Sequence, residues 1–223
     1  MSMILPSLRT HWKYQGLGRF FFLATRKALR PIVVWDIHYI FHRSLRGHDS
    51  PPPSPPGIAI SLLISESDLD RSPGLASLCP QAAERLRRGG VVIVAFANPG
   101  TTDEIIIAGY TWITFSSIWL PELDLSLVVR PGEMVHYDSY VSDPYRGQGL
   151  HTILIQVAKH YALSAGCTHS ISWISALNMQ SLKTAKRLVR EPEKPTIVLS
   201  GKLRGMKRFR NVALRGSLAS RFQ

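Results

Sequence analysis

Cysteine is scarce in this chain of 223 residues, which contains only Cys79 and Cys167. Two cysteines are too few for the disulfide framework of a small secreted domain. Both are therefore predicted to be buried or incidental residues of a protein from a reducing cytoplasm. No cluster of cysteine and histidine has metal-ligand spacing, and the eight histidines are scattered. The sequence thus predicts no metal cofactor.

Long apolar runs are missing as well. No segment approaches the ~20 apolar residues that span a bilayer as a helix. The first eight residues carry no charge and no sustained apolar run follows them, so no signal peptide is predicted. A cytoplasmic location is expected, and peripheral contact with the inner membrane face stays open as an alternative.

Acidic residues are outnumbered, with 15 Asp and Glu against 27 Lys and Arg, and the formal net charge is +12. Such a charge favours anionic partners: a phosphate-bearing cofactor, an acidic membrane surface or nucleic acid. No aromatic RNA-recognition motif is present, so nucleic acid is the least expected of the three. An apolar fraction of 45% is ample for a packed core, and the length predicts one domain with appendages.

Residues 1–50 are predicted to form a basic N-terminal appendage made of a helix and a strand. Residues 9–30 carry six basic side chains and no acid, interleaved with Trp and Phe. This pattern predicts an amphipathic helix that either lies on an anionic membrane or packs its aromatic side on the domain. Residues 32–43 alternate in polarity and predict a half-buried strand. Residues 51–57 form a proline-rich connector, after which residues 58–223 form the main domain and its basic tail.

The main domain is predicted to have an α+β fold. Its elements follow from hydrophobic periodicity and from Gly and Pro breakers. Strands are predicted at residues 58–65, 91–97, 104–116, 132–142 and 169–175, with a final pair around 196–214. Helices are predicted at residues 80–88, at 150–165 and from Asn178 onward. This order indicates a mixed sheet layered against helices.

The chain is predicted to be organised around residues 140–165, in which a strand leads through a glycine-containing loop into a helix. Asp143 and Pro144 end the strand, Gly147 and Gly149 follow, and an apolar stripe of helical period begins at Leu150. A glycine loop that opens into a helix exposes N–H groups at the positive end of a dipole, which suits a phosphate. The loop is neither a P-loop nor a dinucleotide fingerprint, because the Gly-Lys-Ser/Thr run and the third glycine are missing.

Residues 141–150, with their RGQGL core, resemble the coenzyme A loop of the GNAT superfamily of acyltransferases. Its motif reads Gln/Arg-x-x-Gly-x-Gly/Ala; Arg146 and Gly149 fit it, whereas His151 stands where a small residue is expected. Residues 172–188 resemble the strand, Asn-x-x-Ser and helix of the same superfamily, with matches at Asn178 and Ser181. The Leu-Gly-Phe that often ends this block is absent. As an N-cap, Asn178 also has a complete structural explanation without a ligand.

The resemblance implies a GNAT-like fold, a mostly antiparallel sheet flanked by helices, with acetyl-CoA or another acyl-CoA as co-substrate. Its pantetheine would pair with the strand before the loop, and its pyrophosphate would meet the N–H groups of residues 146–151. The implied cofactor-binding residues are Val141, Ser142, Arg146, Gly147, Gln148, Gly149, Leu150, His151, Thr152, Asn178 and Ser181.

Candidate catalytic residues stand on the strand that leads into the loop. Period two places His136, Asp138 and Tyr140 on one face of that strand. His136 or Asp138 would accept the proton of an amine through a water. The tyrosine that the superfamily often uses as an acid falls on Ala185. Either another group serves, with Tyr140 the nearest candidate, or the thiolate leaves unprotonated, or the protein is inactive. The alternative is that all three are ordinary polar strand residues.

We therefore expect an acyltransferase that moves an acetyl or other acyl group from acyl-CoA to an amine, by direct attack in a ternary complex. The basic appendage and tail suit a small-molecule amine acceptor that carries phosphate or nucleotide groups. One alternative is an acyltransferase that acts on a hydroxyl or a protein lysine. The other is a non-catalytic binding module of the same fold at anionic membrane or nucleic acid surfaces. The missing tyrosine favours this module, and the two matched motifs oppose it.

Overall fold

The computed structural model describes residues 17–29, 33–45, 53–72, 74–98, 106–121, 123, 125–187, 195–203, 210–215, 218 and 221–222. The strands are β1 (Val33–Ser44), β2 (Ile58–Leu63), β3 (Val91–Ala97), β4 (Ile106–Thr114), β5 (Ile118–Leu120), β6 (Leu125–Leu127), β7 (Glu133–Val141), β8 (His169–Ser175), β9 (Thr196–Leu203) and β10 (Arg210–Arg215). The helices are α1 (Leu17–Leu29), α2 (Leu75–Leu78), α3 (Ala82–Arg87), α4 (Leu150–Ser164) and α5 (Met179–Arg187). Two short 3₁₀ helices span Glu66–Arg71 and Asp143–Tyr145.

Eight strands form one sheet in the order β10-β9-β1-β8-β7-β4-β3-β2. Each neighbouring pair is antiparallel except β7 and β8, which run parallel. The predicted mixed, mostly antiparallel sheet flanked by helices is therefore confirmed. A separate hairpin of β5 and β6, which the sequence analysis did not identify, packs beside it.

The two faces of the sheet bury separate hydrophobic clusters. On one face, Val91 and Ile93 of β3 pack with α4; on the other, Val92 and Val94 pack beneath α2 and α3. This explains why β3 is an unbroken apolar run, since a strand covered on both faces has no polar side. Cys79 and Cys167 are both buried and free, as expected.

β1 is an interior strand of the sheet, whereas the sequence suggested that it belonged to an appendage outside the main domain. It pairs antiparallel with β8, where His38 faces Ser175 and Arg43 faces Ser170, and with β9 on its other side. The physical reason is that β8 uses only one edge to pair with β7. Its other edge would present unpaired N–H and C=O groups, and β1 covers it.

The basic N-terminal helix is described only from residue 17, so the predicted start at residues 9–16 lies outside the described residues. α1 leaves Phe21 62% and Leu29 41% exposed. Within the described part of the chain, no helix combines the length and the apolar character needed to cross a bilayer.

A buried ion pair attaches the C-terminal residues to the sheet. Glu133, at the start of β7, is 7% exposed and accepts hydrogen bonds from Nη1 of Arg221 at 2.6 and 2.5 Å. The Nε2 atom of His42 on β1 lies 3.0 Å from the same carboxylate, and the His42 ring stacks on His169 at 4.7 Å. One carboxylate thus joins β1, β7 and the C-terminal segment.

Candidate active site

β7 and β8 separate part of the way along the sheet. They pair in parallel only where Glu133 to His136 face His169 to Ser172. Beyond His136, no pairing joins the described residues of the two strands. At this point β7 also bulges: Trp112 of β4 faces Tyr137 and Thr111 faces Ser139, so Asp138 is the extra residue. Its φ of +44° is a left-handed conformation that is uncommon outside glycine.

The bulge makes the period-two prediction for this strand wrong. His136 and Ser139 lie on the same side, where Oγ1 of Thr111 is 2.6 Å from Nε2 of His136 and 2.6 Å from Oγ of Ser139. Tyr140 packs on the opposite face, with its ring stacked on Tyr110 at 5.6 Å. A bulge adds one residue to one strand, and this inverts the alternation of every side chain beyond it. Tyr140 is therefore not beside His136.

His136 is poorly suited to act as a base. Burial, together with the smaller effect of the neighbouring charges of His151, Lys159 and Arg43, lowers its pKa to about 3. Its ring is therefore neutral near pH 7, with little tendency to take up a proton. Asp138 differs, because its side chain is 38% exposed and its carboxylate accepts a hydrogen bond from Arg85 of α3.

Because His136 is neutral in the folded state, we expect acid to destabilise the fold. Its folded pKa lies below the ordinary value of 6.5, so its contribution is fully present above pH 6.5 and is lost as the pH falls toward about 3. His136→Gln removes this titration. Between about pH 7.5 and pH 5, the wild type should lose up to about 2 kcal/mol of unfolding free energy more than the variant. Urea denaturation at both pH values measures the difference.

His160→Gln is the matched control, because His160 is an exposed residue of α4. An equal acid response of His136→Gln and wild type would show that His136 titrates normally. Burial also lowers the pKa of His151, so the His136 variant should keep part of the acid sensitivity.

The predicted glycine loop lies at the open end of β7. The 3₁₀ helix Asp143–Tyr145 leads into Gly147 and Gly149, whose φ angles are +78° and +81°. Gly149 is the N-cap of α4, and the N–H of Ile153 bonds to its carbonyl at 3.2 Å. The amides that precede Ile153 lie in the first turn, where a helix offers no intrahelical acceptor. They form a cradle at the positive end of the helix dipole.

The side chains of two loop residues, Arg146 and Gln148, form hydrogen bonds with neighbouring parts of the same segment. Arg146, predicted to fork onto a phosphate, instead donates from Nε to the Val141 carbonyl at 2.9 Å and pairs with Asp143 at 2.5 Å. Gln148 donates to the Pro144 carbonyl at 2.9 Å.

Three further residues of the predicted cofactor-binding set are Ser142, Leu150 and Thr152. The N–H of Ser142 donates to the carbonyl of Ala108 at 2.9 Å. Leu150 is 2% exposed in the core, and Thr152 is half-buried in the first turn of α4. For Leu150, only the backbone N–H is available to a ligand.

A first cavity of about 330 Å³ lies between α4, α5 and the separating strands. Two of the predicted positions line this cavity at the start of α5, where Oδ1 of Asn178 accepts a hydrogen bond from the N–H of Ser181 at 3.0 Å. Asn178 is thus both a structural cap and a lining residue. The cavity is lined by His38, Arg43, Met134, His136, Tyr137, Asp138, Ser139, His151, Ile155, Lys159, Ser170, Ser172, Trp173, Ile174, Ser175, Asn178, Ser181, Thr184 and Ala185.

A second cavity, of about 690 Å³, lies on the opposite face of the sheet beside α3 and β5. Tyr137, Asp138 and Trp173 line both cavities, so the two meet where the strands separate. The Tyr137 and Trp173 rings stack at 6.2 Å, and burial raises the pKa of Tyr137 to about 12. The second cavity is further lined by Gln81, Glu84, Arg85, Arg88, Gly90, Thr114, Ser116, Ser117, Ile118, Trp119 and Pro121.

Sequence reasoning did not identify Arg43, Arg85, Tyr137, Lys159 or Trp173 as site residues. One signal was present in the sequence: His151, Ile155 and Lys159 are spaced by four, which places them on one ridge of α4 beside its apolar stripe. For Arg43 and Arg85 the local sequence carries no signal, because each reaches the site through tertiary pairing.

Comparison with known proteins gives the same architecture. No curated protein matches the sequence. Among solved structures, a tandem GNAT protein from the clavulanic acid biosynthesis pathway has a TM-score of 0.52 and 15% identity over 87% of this chain and 72% of its own. At these identities the likeness concerns the fold alone.

Two further structures are similar at TM-scores below 0.5. The aminoglycoside N-acetyltransferase AAC(6')-Iy in complex with CoA has a TM-score of 0.45 and 18% identity, over 60% of this chain and 92% of its own. A GCN5-related N-acetyltransferase from Kribbella flavida has 0.46 and 17%, over 77% of this chain and 59% of its own. The decisive match is the family model, which covers residues 71–188, more than half of the sequence. The chain belongs to the acetyltransferase (GNAT) family.

Proposed function

We propose that the protein transfers an acetyl group from acetyl-CoA to the amine of a small molecule. The observation that carries this proposal is the separation of β7 from β8, which lies between two cavities and has the glycine loop at its open end. A donor on one face and an acceptor on the other would meet at Asp138.

The donor face suits coenzyme A. The amides of residues 147–152 would hold its pyrophosphate, since positive φ at Gly147 and Gly149 turns the backbone toward an anion at the helix start. Among the described residues, the edge of β7 beyond His136 that faces β8 makes no strand pairing, and this edge would bind the pantetheine amides. Asn178 and Ser181 lie at the rim of the same cavity.

The acceptor face supplies the base. Asp138 would take the proton from the ammonium, directly or through a water, so that the free amine attacks the thioester carbonyl. A C–N bond then forms, the C–S bond breaks, and the coenzyme leaves as its thiol or thiolate. Arg85 holds the Asp138 carboxylate at the junction of the two cavities. The net charge of +12 supports an acceptor that carries phosphate or nucleotide groups.

Calorimetric titration with coenzyme A tests the proposal. The wild type should bind, and Gly149→Glu should bind about a hundredfold more weakly, because a side chain at φ +81° strains the loop and its carboxylate opposes the phosphates. Gly166→Glu is the matched control. Gly166 has a φ of +84° and equally open surroundings, but it lies at the opposite end of α4.

Absence of coenzyme A binding by a folded wild type would contradict the proposal. Equal weakening in both glycine variants would assign the effect to backbone strain and not to the loop. Binding to anionic vesicles at raised salt, without coenzyme A affinity, would favour the non-catalytic binding module instead.

A further inference from the structure

The N-terminal helix α1 presents an apolar face to the outside of the molecule, here called its outer face. Four residues spaced by four, three and one positions form it: Phe21, Thr25, Ala28 and Leu29. All four are exposed, and the two large side chains, Phe21 and Leu29, are 62% and 41% exposed. A surface helix of a globular protein normally turns its apolar stripe toward the core and its polar residues outward. The outer face of α1 therefore suits an apolar partner.

The outer face can leave water without an unpaired polar side chain. Thr25 is its polar residue, and the Thr25 hydroxyl donates to the carbonyl of Phe21, one turn earlier in the same helix. A hydroxyl bonded in this way is satisfied inside the helix. Because burial of a polar group is costly mainly where its hydrogen bond is lost, Thr25 adds little to the cost of desolvating this face.

The charge of the same helix identifies the apolar partner. α1 carries Arg19, Arg26 and Lys27 and no acidic residue, and Lys27 is exposed. The whole chain has a net charge of +12, so a second copy of the chain would bring like charges together at this face. An anionic bilayer offers apolar acyl chains together with negative headgroups. With 13 residues, α1 is about 20 Å long, which is shorter than a membrane span and suits a helix in the plane of the interface.

We propose that α1 docks the protein on an anionic phospholipid bilayer, with Phe21 and Leu29 among the acyl chains and Lys27 beside the phosphate groups. A lysine on an interfacial helix keeps its stem in apolar surroundings and extends its ammonium to the headgroups. The helix precedes residues 71–188, which match the family, and neither cavity is lined by a described residue of α1. Docking is therefore separate from the proposed acetyl transfer.

Co-sedimentation of the full chain with vesicles tests the contact with the headgroups. The wild type should bind vesicles of phosphatidylcholine mixed with phosphatidylglycerol more tightly than vesicles of phosphatidylcholine alone. Lys27→Glu should lower the partition coefficient for the anionic vesicles about tenfold, because it replaces an attraction with a repulsion. Lys183→Glu makes the same change of charge at an exposed position of α5, and its partition coefficient should stay within about twofold of wild type.

The contact with the acyl chains has its own pair of variants. Phe21→Ser should lower the partition coefficient about tenfold, and Leu29→Ser should lower it in the same direction, since each removes an apolar side chain that leaves water on docking. Ile64→Ser and Leu78→Ser are the matched controls, because these side chains are 59% and 42% exposed and lie outside α1. Both controls should bind vesicles as the wild type does.

Failure of the wild type to bind anionic vesicles overturns the inference. Binding that disappears at raised salt and is unchanged by Phe21→Ser and Leu29→Ser also overturns it, since this is adsorption of a basic chain by charge alone. A dimer in sedimentation velocity that Phe21→Ser dissociates would assign the outer face to a second copy of the chain. Coenzyme A binding is measured separately, and its loss would overturn the proposed acetyl transfer while leaving membrane docking in place.

Discussion

Asp138→Asn is expected to lower the kcat of amine acetylation by about 10²–10⁴-fold, the usual contribution of a general base. Asparagine has the same shape, and it tolerates the φ of +44° better than other non-glycine residues, so the bulge should persist. What the variant loses is the carboxylate at the junction of the two cavities. The affinity for coenzyme A should not change.

The rate of thiol release from acetyl-CoA, measured with the best acceptor of an amine panel, reports this loss of kcat. Asp70→Asn, at an exposed position of the 3₁₀ helix Glu66–Arg71, is the control. An Asp138 variant with normal turnover would place the base elsewhere, and a variant with weakened coenzyme A binding would indicate a structural role.

Glu133→Ala should lower the free energy of unfolding by about 3–5 kcal/mol, because it leaves Arg221, which is 9% exposed, as an uncompensated buried cation. It also removes the acceptor for His42 and for the N–H of Arg130, which donates at 3.0 Å. Urea denaturation of the variant, of Arg221→Met and of the double variant forms a double-mutant cycle. The double variant should be more stable than Glu133→Ala alone.

The stabilisation that the Glu133 carboxylate provides depends on pH. Burial opposes ionisation of Glu133, but its hydrogen bonds with Arg221 and Arg130 outweigh burial and hold its pKa below the ordinary 4.5. The contribution is therefore present above pH 4.5 and is lost as the pH falls through the lower folded pKa. The difference in unfolding free energy between wild type and Glu133→Ala should therefore become smaller as the pH falls below 4.5. A difference in unfolding free energy that stays constant down to about pH 3 would contradict a stabilising role of the Glu133–Arg221 ion pair.

Much of the fold was predictable, because it depends on local patterns. β3 and β8 begin and end where the alternation and the apolar runs predicted, and α4 begins at Leu150 behind Gly149. Asn178 caps α5 through the N–H of Ser181, as its residue type suggested. In each case neighbouring residues determine the conformation.

The side-chain arrangement of β7 beside the two cavities could not be predicted in the same way. The phase of β7 changes at Asp138 because of how β4 pairs with it, and nothing in residues 133–141 marks the extra residue. Tyr140 was therefore assigned to the wrong side. Arg85 and Arg43 reach the site from segments 53 and 95 positions away from Asp138, through contacts that only the folded chain makes. Periodicity reports which face a side chain takes, not which segments become neighbours.

The interior position of β1 has a consequence for how the chain is made and shortened. Its partner strand is distant in sequence: Asp36 and Ser175, which share a hydrogen bond at 2.8 Å, are 139 residues apart. Contacts this distant slow folding, so β1 cannot form its pairing with β8 until more than a hundred further residues have been synthesised. A fragment trimmed to the family-matched residues would leave one edge of β8 open, and an open edge invites aggregation. Recombinant work should therefore keep the N-terminal strand.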